Sequence, residues 1–564
     1  MKKLHFGHWF IRRPVAGLSA GCLAAVILRA SGSRLSVPFT LALLLAIVYS
    51  LLVRPETGAY ISNAMIGGTI GIVVWAVSLP LTADRNRTLD AGFMRDNFGS
   101  LIGWVFFGLL FGFFLQVFHQ IAFRVWGGEV EVEAATVPAT PIRIVILGGG
   151  FAGMRTAGRL EALLKRVPGA TVTLVSETNS LLFTPMLAEV AGGSLEPSHI
   201  GTPLRGSLKR TVVVRACATA VDDALKEISL MAAGGVAHMV KYDYLVISVG
   251  SVSNFLGLKQ VEEVAFNFRT LVDAIRIRNH VIQKLELADK ETDREVRRQM
   301  LRFVVAGGGF AGVELAGSLN DLTRGILGNY PGIDPSDVEV VLVHSRDRIL
   351  PELTESLAQY ALERMTQRGV VFRLNTRVKD ASASTVMLEN DPIQAETLIW
   401  TAGSAPHPLL ASLLFTKDKR GCLLVDKTLA VQGTQSVWAL GDCAAVEDPY
   451  SGKLYPPTAQ FALREADTVA RNILATINGK PQSPFYFKSL GALCVVGHQT
   501  ACAELAIPFG GSRSIKFSGL AAWMLWRGIY LAKLPSAERK VRVLLDWTLE
   551  LFFPRDIVQT IDVG

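Results

Sequence analysis

The sequence predicts an α/β protein that contains two parallel-sheet units and begins with an all-helical transmembrane region of about four helices. Two observations predict this fold class. One glycine-rich hexapeptide occurs twice, letter for letter, each time between a short apolar stretch and a helical pattern. The first 126 residues instead carry long apolar runs that are separated by charged segments. Membrane helices and α/β sheets are therefore expected in different parts of the chain.

The composition suggests a protein that combines soluble domains with membrane-embedded segments. Of the 564 residues, 50% are hydrophobic and 19% are charged, below the roughly 25% of charged residues in average soluble domains. Lys and Arg outnumber Asp and Glu by 57 to 49, which suits an anionic membrane surface. No basic run with interleaved aromatic residues occurs, so we expect no nucleic acid as a partner. The six cysteines form no Cys-x-x-Cys pair, which argues against a metal site and a disulfide scaffold.

Four apolar runs at the front of the chain predict membrane-spanning helices. The last three reach the ~20 residues that a helix needs to cross a ~30 Å hydrocarbon core, and the first needs its flanking residues. Two alternatives stay open: residues 1–28 resemble a signal peptide, and the runs are also compatible with buried core helices. The runs are 14–28, 35–53, 60–81 and 101–123.

Four spans place both chain ends on one side of the membrane. We expect a multi-pass protein of the cell inner (cytoplasmic) membrane, with the α/β part on the cytoplasmic face. The distribution of Lys and Arg hardly distinguishes the two orientations in the membrane, because four such residues precede the first run and three lie in the 81–100 loop. Residues 127–141, rich in Glu, Ala, Thr and Pro, predict a linker.

The most informative feature is the repeated hexapeptide Gly-Gly-Gly-Phe-Ala-Gly. In such a G-x-G-x-x-G turn, the first glycine makes the tight turn and the second lets a pyrophosphate approach the backbone. The third lets the helix pack closely on the strand, and the helix N-terminus holds the negative charge. Two copies in strand–turn–helix context predict two Rossmann-like dinucleotide-binding domains. The glycines in question are Gly148, Gly150 and Gly153 in the first copy and Gly307, Gly309 and Gly312 in the second.

The ribose of a dinucleotide is expected to bind at the end of the strand that follows each turn. In the first fold this strand ends at Glu177, whose carboxylate is suited to accept hydrogen bonds from ribose hydroxyls. In the second fold the run 340–346, Val-Val-Leu-Val-His-Ser-Arg, has no carboxylate at this point. The two folds are therefore expected to differ in the nucleotide they select.

Several separated motifs between residues 142 and 563 resemble the type II NADH:quinone oxidoreductases, or alternative NADH dehydrogenases. This family lies within the two-dinucleotide-binding-domain flavoprotein superfamily. Besides the glycine turns, the motifs are Leu-Phe-Thr-Pro-Met-Leu at 182–187, Ser-Val-Gly at 248–250, Thr-Ala-Gly at 401–403, Leu-Gly-Asp at 440–442 and Pro-Pro-Thr-Ala-Gln at 456–460. The family usually has Ala-Thr-Gly where this chain has Ser-Val-Gly.

The resemblance implies FAD in the first fold and NADH or NADPH in the second. It assigns the ribityl chain of FAD to Asp442, and the quinone pocket to Gln460. Glu314 and Gly403 are placed near the nicotinamide, so Glu314 and Gln460 are the predicted catalytic residues. The residues placed around FAD beyond the first turn and Glu177 are Thr184, Gly250, Asp442, Ala459 and Gln460. Just beyond them the chain departs from many members, with Arg464 and Ala466 in place of a Gln and a Gly.

The C-terminal segment 520–531 resembles the membrane-docking helix of the family. A second helix would place Val541, Leu544, Leu545, Leu551 and Phe552 on one apolar face. Aromatic residues beside Lys and Arg suit a helix that lies in the headgroup region. The implied partners are a membrane quinone and the lipid bilayer, with a homodimer as a further possibility.

The implied activity is that of a flavoprotein NAD(P)H:quinone oxidoreductase. A hydride passes from NAD(P)H to FAD, and two electrons then pass to the quinone. The apolar runs hold few ionisable groups, so we expect no proton pumping. Two alternatives stay open: an enzyme like sulfide:quinone oxidoreductase, with Cys422 and Cys443 as candidates by position, and a membrane redox sensor built on a flavoprotein.

The nucleotide of the second fold is expected to be NADPH as well as NADH. An acidic residue after the second strand would repel a 2′-phosphate, and family members often have Glu where this chain has His344. Arg346 is suited to pair with a phosphate. In the alternative arrangement Arg346 points to solvent and Asp347 takes the ribose.

These motifs divide the chain into six segments. They are the transmembrane region 1–126, the linker 127–141, the first part of the FAD-binding domain 142–300, the NAD(P)H-binding domain 301–400, the second part of the FAD-binding domain with the quinone site 401–515, and the docking helices 516–564.

Overall fold

The structure is a computed structural model that describes residues 16–26, 91–126, 141–232, 234–507 and 514–559, with single helical positions at 64, 67, 68 and 71. The described chain folds into two parallel or mostly parallel sheets, one antiparallel sheet near the C-terminus and smaller strand pairs. This architecture confirms the predicted α/β class.

The strands are β1 (Ile142–Leu147), β2 (Ala170–Ser176), β3 (Ser180–Leu182), β4 (Gly201–Pro203), β5 (Val212–Asp222), β6 (Glu227–Ala232), β7 (Ala237–Lys241), β8 (Tyr244–Ile247), β9 (Ser251–Ser253), β10 (Phe266–Asn267), β11 (Arg302–Ala306), β12 (Glu339–Val343), β13 (Val370–Arg373), β14 (Val378–Ala381), β15 (Thr385–Leu388), β16 (Pro392–Gln394), β17 (Thr397–Trp400), β18 (Ser404–Pro406), β19 (Leu423–Leu424), β20 (Val437–Ala439), β21 (Ala444–Ala445), β22 (Gly491–Gly497), β23 (Thr500–Ala506) and β24 (Ser514–Ser518).

The helices are α1 (Ala16–Val26), α2 (Ala91–Trp126), α3 (Phe151–Leu163), α4 (Leu187–Ala191), α5 (Leu204–Ser207), α6 (Lys259–Val264), α7 (Leu271–Ala288), α8 (Arg294–Met300), α9 (Phe310–Ile326), α10 (Glu355–Gln367), α11 (Leu409–Ser412), α12 (Ala459–Ile477), α13 (Gly519–Lys533) and α14 (Ala537–Leu549). Short 3-10 turns lie at Leu164–Arg166, Thr184–Met186, Pro197–Ile200, Leu327–Asn329, Pro335–Asp337 and Gly441–Cys443.

The first sheet forms around the first glycine turn, in the order β20-β8-β1-β2-β5-β6-β7. The central strand β1 is apolar apart from Arg143, and its last four residues are buried, as expected for a strand covered on both faces. It runs parallel to β2 and β8, with Leu147 opposite Val175 and Ile247. Strand β20 adds parallel to β8, so the chain returns to this sheet after it has built the second one.

The second sheet forms around the second glycine turn, in the order β10-β17-β11-β12-β13, with all strands parallel. Ala306 at the end of β11 lies opposite Val343 and Trp400. The edge strand β10 pairs with β17, so this sheet begins before residue 301, where the sequence predicts the start of its domain.

Two short strands connect the sheets at their carboxyl ends. Strand β9 follows β8 of the first sheet, and β18 follows β17 of the second. They pair antiparallel, with Ser251 opposite Pro406 and Ser253 opposite Ser404. This crossing brings the carboxyl ends of the two sheets together, which is where open parallel sheets bind their ligands.

The C-terminal part packs on this framework as an antiparallel sheet with two helices. Strands β22, β23 and β24 pair in that order, and α13 packs on β23. On α13 the aromatic residues Trp523 and Trp526 are buried, so the prediction that this segment docks on the membrane is wrong for these side chains. The helix α14 covers them. Exposed apolar residues lie on the outer side of α14 and in the three residues Leu551, Phe552 and Phe553 that follow it. The exposed set is Val541, Leu544, Leu545, Leu549, Leu551, Phe552 and Phe553.

Within the described residues, one helix is long and apolar enough to cross a membrane, judged by length and composition. It is α2, with the apolar stretch Leu101–Phe118. The first predicted span is described as the shorter helix α1. The second, 35–53, lies outside the described residues, as do all but the last residue of the linker 127–141 and all but four positions of the third, 60–81. The described part of the chain thus shows one candidate span rather than four.

Helix α2 touches the few described residues of the third run through glycines. A Cβ atom on Gly67 would overlap the Gly108 carbonyl oxygen, and one on Gly71 would overlap that of Trp104. Such backbone contact through small residues is typical of helix pairs in membranes. Buried residues of α2, including Phe107 and Phe111, belong to the same apolar cluster as the C-terminal helices.

Candidate active site

The first glycine turn closes β1 onto α3 with no room for a side chain. Gly148 has φ +104° and donates its N–H to the Val175 carbonyl (2.8 Å). A Cβ on Gly153 would overlap the Gly148 carbonyl oxygen. Gly150 begins α3 without a side-chain cap, and a Cβ there would meet open space. The first N–H groups of α3 therefore remain available to an anion.

The second turn repeats this geometry. Gly307 has φ +123° and donates to the Val343 carbonyl (2.9 Å), and a Cβ on Gly312 would overlap the Gly307 carbonyl oxygen. Gly309 begins α9, also without a side-chain cap. The structure therefore has the geometry of two dinucleotide-binding turns, as the sequence predicts.

Each turn is backed by a hydroxyl that the sequence analysis did not single out. Ser248 Oγ donates to the Leu147 carbonyl, and Thr401 Oγ1 donates to the Ala306 carbonyl, both at 2.8 Å. At Ser248 this chain therefore has a hydroxyl where the family motif Ala-Thr-Gly has Ala, and it has Val249 where the motif has Thr. Two residues later, Gly250 (φ +73°) and Gly403 (φ +91°) turn the chain into β9 and β18.

The ribose of each dinucleotide is expected at the end of β2 in the first fold and of β12 in the second. The residues at these two strand ends differ. Glu177 follows β2, and its side chain is 60% exposed; Cys217 Sγ donates to its carboxylate (3.2 Å), and His407 Nε2 lies 3.8 Å away. The carbonyl of Val175 accepts the N–H of Gly148, and the carbonyl of Val343 accepts the N–H of Gly307, so Val175 and Val343 are equivalent positions in the two folds. Two residues further on, Glu177 therefore corresponds to Ser345. His344, predicted to be the discriminating position, corresponds to Ser176 instead.

His344 faces the inside of the second turn. Its Nδ1 accepts the Gly308 N–H (3.1 Å), so the imidazole supports the glycine backbone. Burial, together with the charge of Arg346, lowers the pKa of His344, which keeps the ring neutral. The exposed residues at this strand end are Ser345, Arg346 and Asp347.

Asp442 lies where the crossing strands meet the 3-10 turn after β20. Ser251 Oγ donates to Asp442 Oδ2 (2.7 Å), and the Arg269 guanidinium lies 3.9 Å from the same oxygen while it also donates to Ser251. The neighbouring Gly441 N–H donates to Glu465 Oε2 on α12 (2.7 Å). Asp442 thus borders a cleft between the two crossing strands and α12.

Gln460 lies in the first turn of α12, next to Ala459. Its Nε2 donates to the Gly491 carbonyl (3.2 Å), and its Oε1 accepts the Leu490 N–H (2.6 Å). The amide therefore fixes the start of β22 beside the N-terminus of α12. At the two departures from the family pattern, the Arg464 guanidinium lies over the Phe487 ring (5.5 Å) and Ala466 is fully buried.

Thr184 begins a 3-10 turn and is exposed. The preceding Phe183 is buried between the rings of Phe151, in the first turn of α3, and Tyr530 on α13 (5.7 and 6.1 Å between centroids). This aromatic contact links the first glycine turn to the C-terminal helices.

Glu314 lies on α9 where the second fold meets the C-terminal sheet. Its Oε1 accepts the Val495 N–H from β22 (3.2 Å). Burial raises the pKa of Glu314 to about 8; the hydrogen bond from Val495 and the indole of Trp526 oppose this rise, and the Glu189 carboxylate adds to it. The carboxyl group is therefore mostly protonated at neutral pH.

The two candidate cysteines lack the properties of a redox pair. Cys422 and Cys443 are both buried and unbonded to each other. Cys443 Sγ donates to the carbonyls of Ile247 and Leu440, and burial raises the pKa of its thiol to about 12. A buried thiol that does not ionise is a poor nucleophile. In the residues that the structure describes, no group of His, Cys, Asp or Glu is arranged to hold a metal ion.

The geometry of the two glycine turns agrees with the families that this chain matches in comparisons with known proteins. The family model for pyridine nucleotide-disulphide oxidoreductases matches residues 142–466, and that for the NDH2 C-terminal domain matches residues 489–556. The chain is 32% identical over 424 residues to a probable NADH dehydrogenase of Dictyostelium discoideum, covering 74% of this chain and 90% of that protein. It is 28% identical to a type II NADH:quinone oxidoreductase of Mycobacterium tuberculosis, covering 75% and 91%.

The fold resembles that of NDH2 from Plasmodium falciparum, solved in complex with NADH. The TM-score is 0.67 at 20% identity, and the match covers 74% of this chain and 99% of that chain.

The contact at Gly153 generates the first testable prediction. Gly153→Ala should destabilise the protein by about 1–3 kcal/mol and lower its dinucleotide content, because the new methyl group collides with backbone. Gly158→Ala on the same helix is the matched control. Its Cβ would meet only Leu208 at 3.8 Å, and removal of a helical glycine should stabilise by roughly 0.5–1 kcal/mol. Thermal unfolding of both variants provides the measurement, and equal stabilities would contradict the packing argument.

Proposed function

This chain belongs to the pyridine nucleotide-disulphide oxidoreductase family and, within it, to the type II NADH dehydrogenases, and from that membership we propose that it transfers electrons from NADH or NADPH to a membrane quinone. FAD and the nicotinamide nucleotide are its cofactors. The observation that carries the proposal is the contact of Glu314 with β22, which joins the helix of the second glycine turn to the NDH2-type C-terminal region.

FAD fits the first fold because Gly148 and Gly153 leave no space for a Cβ atom and α3 begins at Gly150 without a side-chain cap. When bound, FAD supplies the two-electron chemistry, accepting a hydride and releasing electrons to quinone. The N-terminus of α3 binds its pyrophosphate, and Glu177 accepts hydrogen bonds from its ribose. Asp442, oriented by Ser251 and Arg269, accepts hydrogen bonds from the ribityl hydroxyls.

NADH or NADPH fits the second fold by the same argument. The N-terminus of α9 binds the pyrophosphate, and Gly403, with φ +91°, turns the chain from β17 into β18. Glu314 holds a proton at the boundary between the second fold and the C-terminal sheet. Gln460 holds Leu490 and Gly491 in place and so shapes the quinone side.

The membrane supplies the quinone, and two parts of the chain are suited to contact it. The exposed apolar side of α14 and the following Phe552 and Phe553 suit insertion into the headgroup region. We include in the proposal a multi-span anchor formed by residues 1–126, with the catalytic part on the cytoplasmic face. Helix α2 and its glycine contacts support this anchor. A homodimer stays a prediction.

Steady-state turnover tests the proposal. The purified protein should oxidise NADH or NADPH only while a quinone is present to accept the electrons. Flavin binding without such turnover would indicate the sensor alternative.

A variant at Gln460 tests the two half-reactions, flavin reduction by NAD(P)H and flavin reoxidation by quinone, separately. Gln460→Leu removes both hydrogen bonds to the start of β22, so flavin reduction by NAD(P)H should stay within twofold while reoxidation by quinone slows. Stopped-flow absorbance measures both steps, and Gln359→Leu on the exposed side of α10 is the control. Equal slowing of both steps would remove Gln460 from the quinone side.

Nucleotide preference generates a prediction at Ser345, the counterpart of Glu177. Ser345→Glu should lower kcat/KM for NADPH at least tenfold while changing NADH little, because a carboxylate there repels the 2′-phosphate. The control is Ser384→Glu, in the exposed turn between β14 and β15, which adds the same charge at a different place and should leave kcat/KM for NADPH unchanged. A wild-type preference for NADH of a hundredfold or more, about 2.7 kcal/mol, would contradict permissive binding.

Removal of residues 1–126 tests the anchor. The shortened protein should remain yellow, oxidise NAD(P)H with a soluble quinone and still bind vesicles in part through α14. Replacing Phe552 and Phe553 with Asp in the shortened protein should abolish the remaining vesicle binding, measured by flotation. Loss of flavin from a folded truncation would show that these residues belong to the catalytic part.

A further inference from the structure

An open cleft lined by arginine side chains lies at the end of the second sheet that is opposite its glycine turn. Arg302 and Glu339 are the first residues of β11 and β12, and Val371 belongs to β13, so the amino ends of three strands line the cleft. Residues of α8, of α9 and of the 3-10 turn Pro335–Asp337 complete the lining. The volume of this arginine cleft is about 370 Å³, which is within the ~300–1,000 Å³ typical of small-molecule sites.

Three arginines line the arginine cleft from three different elements. They are Arg298 on α8, Arg302 on β11 and Arg324 in the last turn of α9. Arg324 Nε donates to Asn320 Oδ1 (3.0 Å), one turn earlier on the same helix. The Arg324 guanidinium also lies so close to Gly369 (φ +89°) that a Cβ atom there would overlap it. The glycine therefore leaves the space that this guanidinium occupies at the edge of the cleft.

The buried carboxylate of the cleft, Asp337, is bound by two further arginines. Arg294 Nε and Arg297 Nε donate to its two oxygens at 2.9 and 3.0 Å. The Arg298 guanidinium lies 3.9 Å from Asp337 and 3.9 Å from Glu295, too far for a hydrogen bond to either. Arg298 therefore keeps its donors for another acceptor. Two exposed carboxylates near the cleft are screened by water and salt; they are Glu295 and Asp334.

The second carboxylate of the cleft, Glu339, accepts a hydrogen bond from Arg302 Nε. Arg302 Nη1 donates to the Gln394 carbonyl (2.8 Å), which leaves its Nη2 for a further acceptor. Arg324 forms no ion pair with any residue that the structure describes. Five guanidinium groups thus face two carboxylates, and donors of Arg298, Arg302 and Arg324 remain available to an anion.

A guanidinium is planar and always charged, and its paired N–H groups match the oxygens of a phosphate. Three of them around one cleft fit a ligand with more than one phosphate group, because a single phosphate would fill only part of the volume. We propose that the arginine cleft is a second anion site, which binds the diphosphate group of a nucleotide or of an inorganic polyphosphate. The lining contains no aromatic ring, so the phosphate groups rather than a stacked base provide the recognition.

The proposed site is separate from the nucleotide site of the same fold. Helix α9 begins at the glycine turn and reaches Arg324 roughly 20 Å further on, at about 1.5 Å per residue. Strand β11 likewise has Arg302 at its amino end and the glycine turn after its carboxyl end. A ligand in the arginine cleft and a nucleotide at the glycine turn therefore do not overlap, and both can be bound at once.

Isothermal titration calorimetry of the full-length holoenzyme tests the site in the presence of saturating NAD⁺, which occupies the glycine turn of the second fold. Pyrophosphate should still bind, and at least tenfold tighter than inorganic phosphate. Arg324→Gln should weaken pyrophosphate binding at least tenfold. Arg377→Gln, which changes an exposed arginine of the same domain outside the cleft, should alter it less than twofold. ADP is the third probe: tighter binding than pyrophosphate assigns the site to a nucleotide, and equal or weaker binding assigns it to inorganic polyphosphate.

Glu339→Gln tests the same site with the opposite sign. It removes a carboxylate from the cleft and releases Arg302 Nε, so pyrophosphate should bind at least twofold tighter. Weaker binding in this variant would contradict the proposal, because charge balance would then not set the affinity. A wild-type holoenzyme that binds no pyrophosphate, or binds it only when NAD⁺ is absent, would overturn the proposal, since the anion would then occupy a glycine turn. The measurement does not depend on turnover, so an inactive enzyme would refute the proposed function and leave this site standing.

Discussion

The structure depends on one contact that is made twice: the first turn of a helix lies directly against the carbonyl oxygen of the glycine that ends its strand. Gly153 meets Gly148 in the first fold, and Gly312 meets Gly307 in the second. No side chain fits between these backbones, so the helix N-terminus is held close to the carboxyl end of the sheet. An anion-binding position follows in each fold. The paired strands β9 and β18 then bring the carboxyl ends of the two sheets together.

The C-terminal region completes this arrangement by bonding to both folds. Gln460, next to the first fold, holds the start of β22, and Glu314, in the second fold, holds Val495 on the same strand. Roughly 13 Å of extended strand separates the two contacts, at about 3.4 Å per residue. Helix α14 covers the aromatic residues of α13 and exposes its own apolar side. The C-terminal region, which carries the exposed apolar side of α14, is thereby connected to both folds through hydrogen bonds to β22.

Sequence patterns predicted those parts of the site that are formed by residues close together in the sequence. The glycine turns, the strands before them and the position of Glu177 follow from spacing and hydrophobicity alone. The place of His344 beside Gly308 depends on strand register, that is, on which carbonyl pairs with the first glycine, and sequence spacing does not fix that. The burial of Trp523 and Trp526 depends on α14 folding over them. The hydrogen bond from the Trp547 indole to the buried Glu189 joins residues more than 350 positions apart, so no local pattern predicts it.

The central claim is that one flavin in the first fold receives electrons from a nucleotide in the second and releases them to quinone. Anaerobic titration of the purified protein, with FAD counted per chain, tests it most directly. We expect one FAD per chain, complete bleaching of the flavin absorbance by one equivalent of NADH or NADPH, and complete recovery with one equivalent of quinone. Two flavins per chain, or bleaching that quinone does not reverse, would contradict the claim.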